Sequence, residues 1–208
     1  MNSPTKVPPT QLLYVADPMC SWCWGFTEVL NTLESELRYD VRLTYVMGGL
    51  APDSDAPMDA ATKSYVQDAW RAVAARTGAT FQHDFWERCS PRRSTWPACR
   101  LVLAASDRGR EVFHAIQRAY YLEARDPSDP TTLAQIAAEF DVDPDQIDDP
   151  ATHALLEADF ALRESLGIRG YPTLATFDGT HGRVLTRGWV DLDTARAALR
   201  RAGLLNDA

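Results

Sequence analysis

Two cysteines separated by two residues, Cys20-Ser21-Trp22-Cys23, are the side chains best placed to do chemistry in this chain. A thiolate is the attacking species in disulfide exchange, and a second thiol one helical turn away can close a disulfide with it. The pair follows a short apolar run and opens an amphipathic stretch. A C-x-x-C at a strand-to-helix junction of this kind reads as a redox motif. Cys20 falls at the helix start, where free backbone N–H groups and the positive end of the helix dipole favour a thiolate. Cys20 is therefore the expected nucleophile. Cys23, one turn further and more buried, is the expected resolving thiol, which releases a mixed disulfide. Ser21 offers a hydroxyl beside the pair, and Trp22 an apolar platform over it. Asp17, three residues before Cys20, reads first as a turn-forming residue ahead of Pro18 and second as a proton donor or acceptor for Cys23.

A zinc site would need two further soft ligands at tight spacing. Cys89 and Cys99 stand ten positions apart and do not repeat the C-x-x-C, so no metal is expected. They could instead form a second disulfide or relay. Arg88, Arg92, Arg93 and Arg100 near them form a basic cluster able to attract a carboxylate such as that of glutathione. Asp141 to Asp145 imitates the start of a calcium loop, but Gln146 and Thr152 stand where that loop needs Gly and Glu. The four histidines show neither metal spacing nor a triad pattern.

A second signal lies about 150 residues downstream. Gly170-Tyr171-Pro172-Thr173 precedes the strand-like run LATF. A proline opening a strand behind an aromatic residue is a candidate cis-proline. A cis bond there turns the Tyr171 backbone outward, where its N–H and C=O can pair with an extended substrate segment.

These residues need elements to position them. Gln11 to Ala16 reads as a buried strand ending at Asp17-Pro18. Trp24 to Arg38 carries apolar residues every three to four positions and reads as a helix. Val41 to Met47 alternates and reads as a strand stopped by Gly48-Gly49. Strand, helix, strand over so short a span is a βαβ unit and implies a parallel sheet. About 100 residues then show only helical pattern: Pro57 to Arg76, Trp96 to Arg108 stopped by Gly109, Arg110 to Ala124, Thr131 to Phe140 and Thr152 to Leu166. Thr173 to Phe177 and Arg183 to Thr186 flank a turn of five residues and read as an antiparallel hairpin. A helix from Asp191 to Arg201 closes the order βαβ, helical insert, ββα. The fold class is thus α/β, with both ends of the chain joined in one sheet.

The chain has 208 residues and a net charge of −8. Between Arg125 and Arg163 ten acidic residues meet no Lys or Arg, so that segment holds −10 and the remainder only +2. Nucleic acid is therefore a poor partner for this chain. The start, MNSPTKVPPTQ, is broken by Pro8 and Pro9, and no run approaches the ~20 apolar residues of a membrane span. A cytoplasmic location with no membrane partner is expected. Thiols there are kept reduced, which favours a catalytic pair over a structural bridge.

The run DPMCSWCWGF, then a helical stretch, then LGIRGYPTLATF resembles the DsbA-type thioredoxin-fold oxidoreductases over nearly the whole chain. The nearest resemblance is to the branch of FrnE-like proteins and protein-disulfide isomerases. It implies a thioredoxin-like domain over 1–55 and 160–208 with an all-helical insertion domain over 56–159. It also implies Cys20 as nucleophile, Cys23 as resolving thiol and Pro172 as the cis-proline. Ser94-Thr95-Trp96-Pro97-Ala98-Cys99 resembles a stretch that opens an insert helix facing the active site, which puts Trp96 and Cys99 at the substrate cleft with Trp22 and Tyr171. Tyr171 is a departure, since many relatives carry Val or Thr there. The implied activity is thiol–disulfide exchange with protein or peptide thiols, glutathione being a conceivable co-substrate. The disulfide itself is the only redox group, so no other cofactor is expected. A glutathione-dependent transferase or isomerase of the kappa-class and hydroxychromene-carboxylate type is the main alternative; such proteins typically present serine at the nucleophile position. A non-enzymatic binding module on the same scaffold is a further one. Oligomeric state is not legible in the sequence.

Overall fold

The structure is a computed structural model that describes residues 10–206; the sequence reading of residues 1–9 lies outside them. Four strands form one sheet in the order β2-β1-β3-β4. β1 (Thr10–Ala16) pairs in parallel with β2 (Val41–Met47), as the βαβ pattern requires. On its other side β1 pairs antiparallel with β3 (Thr173–Phe177), Val15 opposite Thr173. β3 turns back into β4 (Gly182–Arg187). The connecting loop has four residues, 178–181, because Gly182 already belongs to β4. The Asp178 carboxylate closes it by accepting from the N–H groups of Thr180 and His181.

The expected helix from Trp24 to Arg38 is two helices. α1 (Ser21–Trp24) stops after one turn at Gly25, and α2 (Thr27–Glu36) starts beyond Phe26. The apolar period is unbroken, since Phe26, Leu30 and Leu33 are all buried. The backbone is not, and carbonyls at the break also take side-chain donors. Trp189 Nε1 donates to Gly25 O at 3.0 Å, and Thr27 Oγ1 donates to Cys23 O at 3.4 Å.

Between β2 and β3 the described residues are helical. α3 (Ala60–Thr77) is capped by the Asp59 carboxylate and ends at Gly78, whose φ of +76° suits glycine. A one-turn helix, α4 (Phe85–Arg88), has no counterpart in the sequence reading. α5 (Trp96–Ala104) and α6 (Gly109–Tyr121) follow, joined by a 3₁₀ turn over Ser106–Arg108. Gly109 is thus the first residue of α6 and not the stop of α5. Its φ is helical, and a Cβ there would lie 2.7 Å from Val102 O, so glycine permits the close approach of the two helices. α7 (Pro130–Glu139) and α8 (Pro150–Ser165) each start with proline behind a capping aspartate. α9 (Leu192–Arg201) closes the chain with Asp191 as its cap.

One apolar cluster joins the sheet to these helices. Tyr14 of β1 packs against Phe26, Tyr45 and Phe113, ring centres 5.2–6.1 Å apart. Trp70 of α3 is fully buried against Phe85, Trp86, Tyr120 and Tyr121. Each such side chain contributes roughly 1.5–3 kcal/mol through removal from water. This packing anchors the insert directly beneath the turn that carries the cysteines.

Candidate active site

Sheet register explains how residues 151 positions apart meet. β1 and β3 are antiparallel neighbours, so the turn leaving β1 and the loop entering β3 emerge at the same end of the sheet. Cys20 caps α1 on the first, and Tyr171-Pro172 forms the second. The Tyr171–Pro172 peptide is cis, and the Cys20 Sγ lies 3.9 Å from Tyr171 O. The sulfur of one half therefore faces the backbone carbonyl of the other.

Cys20 retains 7% exposure, whereas Cys23 has none. Both are free thiols. Burial pushes the Cys23 thiol well above its ordinary value, and contact with Cys20 adds to the shift. The Asp17 carboxylate acts in the same direction, while the Asp17 backbone partly opposes it. Trp22 is half-buried beside the pair and packs on the core.

Asp17 does more than form a turn. Its Oδ1 accepts from Met19 N at 2.8 Å, as an Asx turn should. Its Oδ2 accepts from Leu50 N and Thr95 Oγ1, each at 2.6 Å, and from Cys99 Sγ at 3.6 Å. The carboxylate is fully buried, which raises its pKa, and these donors counter the rise. One side chain thus ties the cysteine turn, the β2 exit and the start of α5 together.

Cys99 is fully buried and reaches the site only through Asp17; burial, then the Asp17 charge, push its thiol well up. Trp96, half-buried, donates from its indole to Gly49 O at 3.3 Å and packs on Phe160 of α8. Tyr171 presents its backbone to Cys20, but its ring is held away. The hydroxyl donates to Gly48 O at 2.7 Å, and Arg163 of α8 donates to both oxygens. The Tyr171 ring lies where a Cβ on Gly48 would be, 2.4 Å from the ring atoms, so glycine at 48 makes room for it.

Cys89 lies apart from this constellation. Its thiol faces Ala124 O at 3.4 Å, and it lines a cavity of about 410 Å³ with Arg88, Arg92 and Arg125. Arg100, grouped with these cations by sequence, is elsewhere engaged. It is buried and bound to Asp53, Asp148 and Ile147 O. The residues that sequence reasoning missed are Thr95, Gly48, Gly49, Phe160 and Arg163. Thr95 lay inside the quoted Ser94–Cys99 stretch. Gly48-Gly49 was legible only as the stop of a strand, and Phe160 and Arg163 carry no local signal, because their partners are distant in sequence.

A buried thiol behind a reachable one, at a helix start opposite a cis-proline loop, defines the thioredoxin class of fold. Residues 11–200 match the DSBA-like thioredoxin domain, and the chain belongs to that family. Among solved structures it is similar to a candidate protein disulfide isomerase from Nitrosomonas europaea. Identity is 27% and the TM-score 0.81, over 92% of this chain and 96% of that one. It is also similar to the cytosolic disulfide reductase DsbM from Pseudomonas aeruginosa, at 24% identity and TM-score 0.73, over 92% and 98%. The same protein with GSH gives 24% and 0.71, over the same shares. No curated protein matches this sequence. No helix among the described residues is long and apolar enough to cross a membrane.

Proposed function

We propose that the protein is a cytoplasmic thiol–disulfide oxidoreductase that exchanges disulfides with protein or peptide thiols through Cys20 and Cys23. Cys20 attacks a substrate disulfide, or in the oxidised pair is attacked by a substrate thiol, and Cys23 releases the mixed disulfide. The single observation that carries this reading is the placement of Cys20. The residue keeps 7% exposure at the start of the helical turn that buries Cys23, and its sulfur faces Tyr171 O at 3.9 Å. That carbonyl, together with the Tyr171 N–H, is where an extended substrate segment would pair, next to the cis-proline. Trp22 and Trp96 are the apolar side chains available to flank such a segment. Cys99, being fully buried, acts on the site through Asp17 and not by touching substrate. Glutathione as a co-substrate is suggested by the related DsbM, which is a disulfide reductase described with GSH.

The test is turbidimetric insulin reduction by dithiothreitol. The wild type accelerates it and Cys20→Ser does not. Equal acceleration by the variant would remove Cys20 from the reaction. Retention of both thiols also separates this reading from the glutathione isomerases, whose turnover would not need Cys23.

A further inference from the structure

The segment that would pair with substrate has few backbone ties. Gly167, Arg169 and Gly170 are exposed, and the Tyr171 N–H has no hydrogen-bond partner among the described residues. What fixes Tyr171 is the far end of its side chain. The hydroxyl donates to Gly48 O at 2.7 Å, and Arg163 Nη1 donates both to that hydroxyl and to Gly48 O. Gly48 is itself tied to the strand that leads to the cysteines, since its N–H donates to Ala16 O at 2.6 Å. One residue therefore links β1, the cis-proline loop and α8. Asp159 and Phe160 secure the same stretch, at Met47 N and beside Gly49. The Arg163 guanidinium lies 4.5 Å over the Phe160 ring, and its Nε is buried without a partner. An unpaired buried donor has a cost that an aliphatic side chain would not carry. What the arginine adds against that cost is the pair of Nη1 bonds.

We infer that Arg163 is a positioning residue for substrate: by clamping the Tyr171 side chain to Gly48, it holds the Tyr171 carbonyl in front of Cys20 for an extended peptide to pair with. The inference rests on the oxidoreductase reading above and narrows its substrate class to a disulfide carried within a peptide chain. Arg163 acts through Tyr171 and Gly48; its polar contacts run to them and to Glu164, not to the cysteines. A small disulfide without flanking residues needs only Cys20. A peptide also needs the pairing edge in place, because its main chain bonds to the backbone beside the cis-proline. An edge held loosely misplaces the reacting sulfur and lowers the rate.

The test puts one leaving group on two carriers. Nitrothiobenzoate is joined by a mixed disulfide to the cysteine of an extended peptide, or to N-acetylcysteinamide. The Cys20 thiolate of reduced protein attacks the carrier sulfur, and nitrothiobenzoate leaves with the electron pair. Cys23 then displaces the carrier, which departs as a thiol. A Cys89→Ser background silences the half-buried thiol. In that parent the peptide should react faster than the amide. Arg163→Met should cut the peptide-to-amide ratio of second-order rate constants about tenfold. Tyr171→Phe removes one oxygen and keeps the arginine, and it should cut the ratio as far. The double variant should lose no more than either single one, because both changes open the same clamp. A fold merely weakened would slow both carriers together. An unchanged ratio in either single variant, or additive losses in the double one, therefore overturns the inference. So does a parent with no preference for the peptide. Release as fast from Cys20→Ser as from the parent instead overturns the oxidoreductase reading, and the inference with it.

Discussion

Burial decides the chemistry of single residues around this site. Cys23, Cys99 and Asp17 are all removed from water, and each is held nearer its neutral form than in a peptide. Asp159 of α8 shows the same physics in a group open to test. Its Oδ2 accepts from Met47 N at 2.7 Å, but burial raises its pKa from 3.8 to about 6. For an acid shifted upward, the folded chain binds more protons than the unfolded chain between those two values. Stability therefore falls as pH rises from about 4 to about 6, and above that the penalty is complete. Asp159→Asn keeps an acceptor for Met47 N and removes the charge. It should stabilise the fold by about 1 kcal/mol at pH 7, a value reduced for partial exposure, and by almost nothing near pH 4. Urea melts at the two pH values read this out, and an equal effect at both would contradict the assigned cause.

At the scale of elements, the site depends on how loops are allowed to approach. Gly48 and Gly49 follow β2 and lie between Tyr171, Trp96 and Phe160. A Cβ on Gly49 would fall 2.4 Å from Phe160, and its φ of +66° disfavours any other residue. Gly49→Ala should destabilise the protein by about 2 kcal/mol, through backbone strain and overpacking together. Its lowered denaturant midpoint should come with slower insulin reduction, since the α5 start and the Tyr171 loop both lean on this segment. A wild-type midpoint would show that the loop yields freely. Much at this scale was legible beforehand. β1, β2, β3 and α9 fall close to where apolar period and turn residues put them, because those signals are local. What was illegible depends on partners. Gly109 looks like a helix stop in sequence, and only its contact with Val102 shows why it lies inside a helix start. The break between α1 and α2 is invisible in the apolar period, because Phe26 keeps to the buried face while the backbone turns. α4 is a single turn, too short for any period to register.

The whole molecule brings two distant segments to one end of a sheet and sets a helical layer under them. The cysteine pair and the cis-proline loop were readable as motifs, and their meeting followed from the order of elements. Asp17 was not readable in full. Its partners Leu50, Thr95 and Cys99 lie 33 to 82 positions away, and no spacing rule links them. The net charge of −8 likewise hides an uneven layout, with the acidic run confined to the later helices and the loops joining them. Arg100 is drawn into that layout, buried between Asp53 and Asp148. The exchange reaction itself rests on one pair of thiols out of four. Its most direct test is equilibration in glutathione redox buffers, followed by acid quench, alkylation and peptide mass mapping. The account predicts one two-electron transition, the loss of two hydrogens, located at Cys20–Cys23 and absent from Cys20→Ser. No transition across the glutathione range, or a disulfide that engages Cys89 or Cys99 while Cys20 stays free, would contradict it.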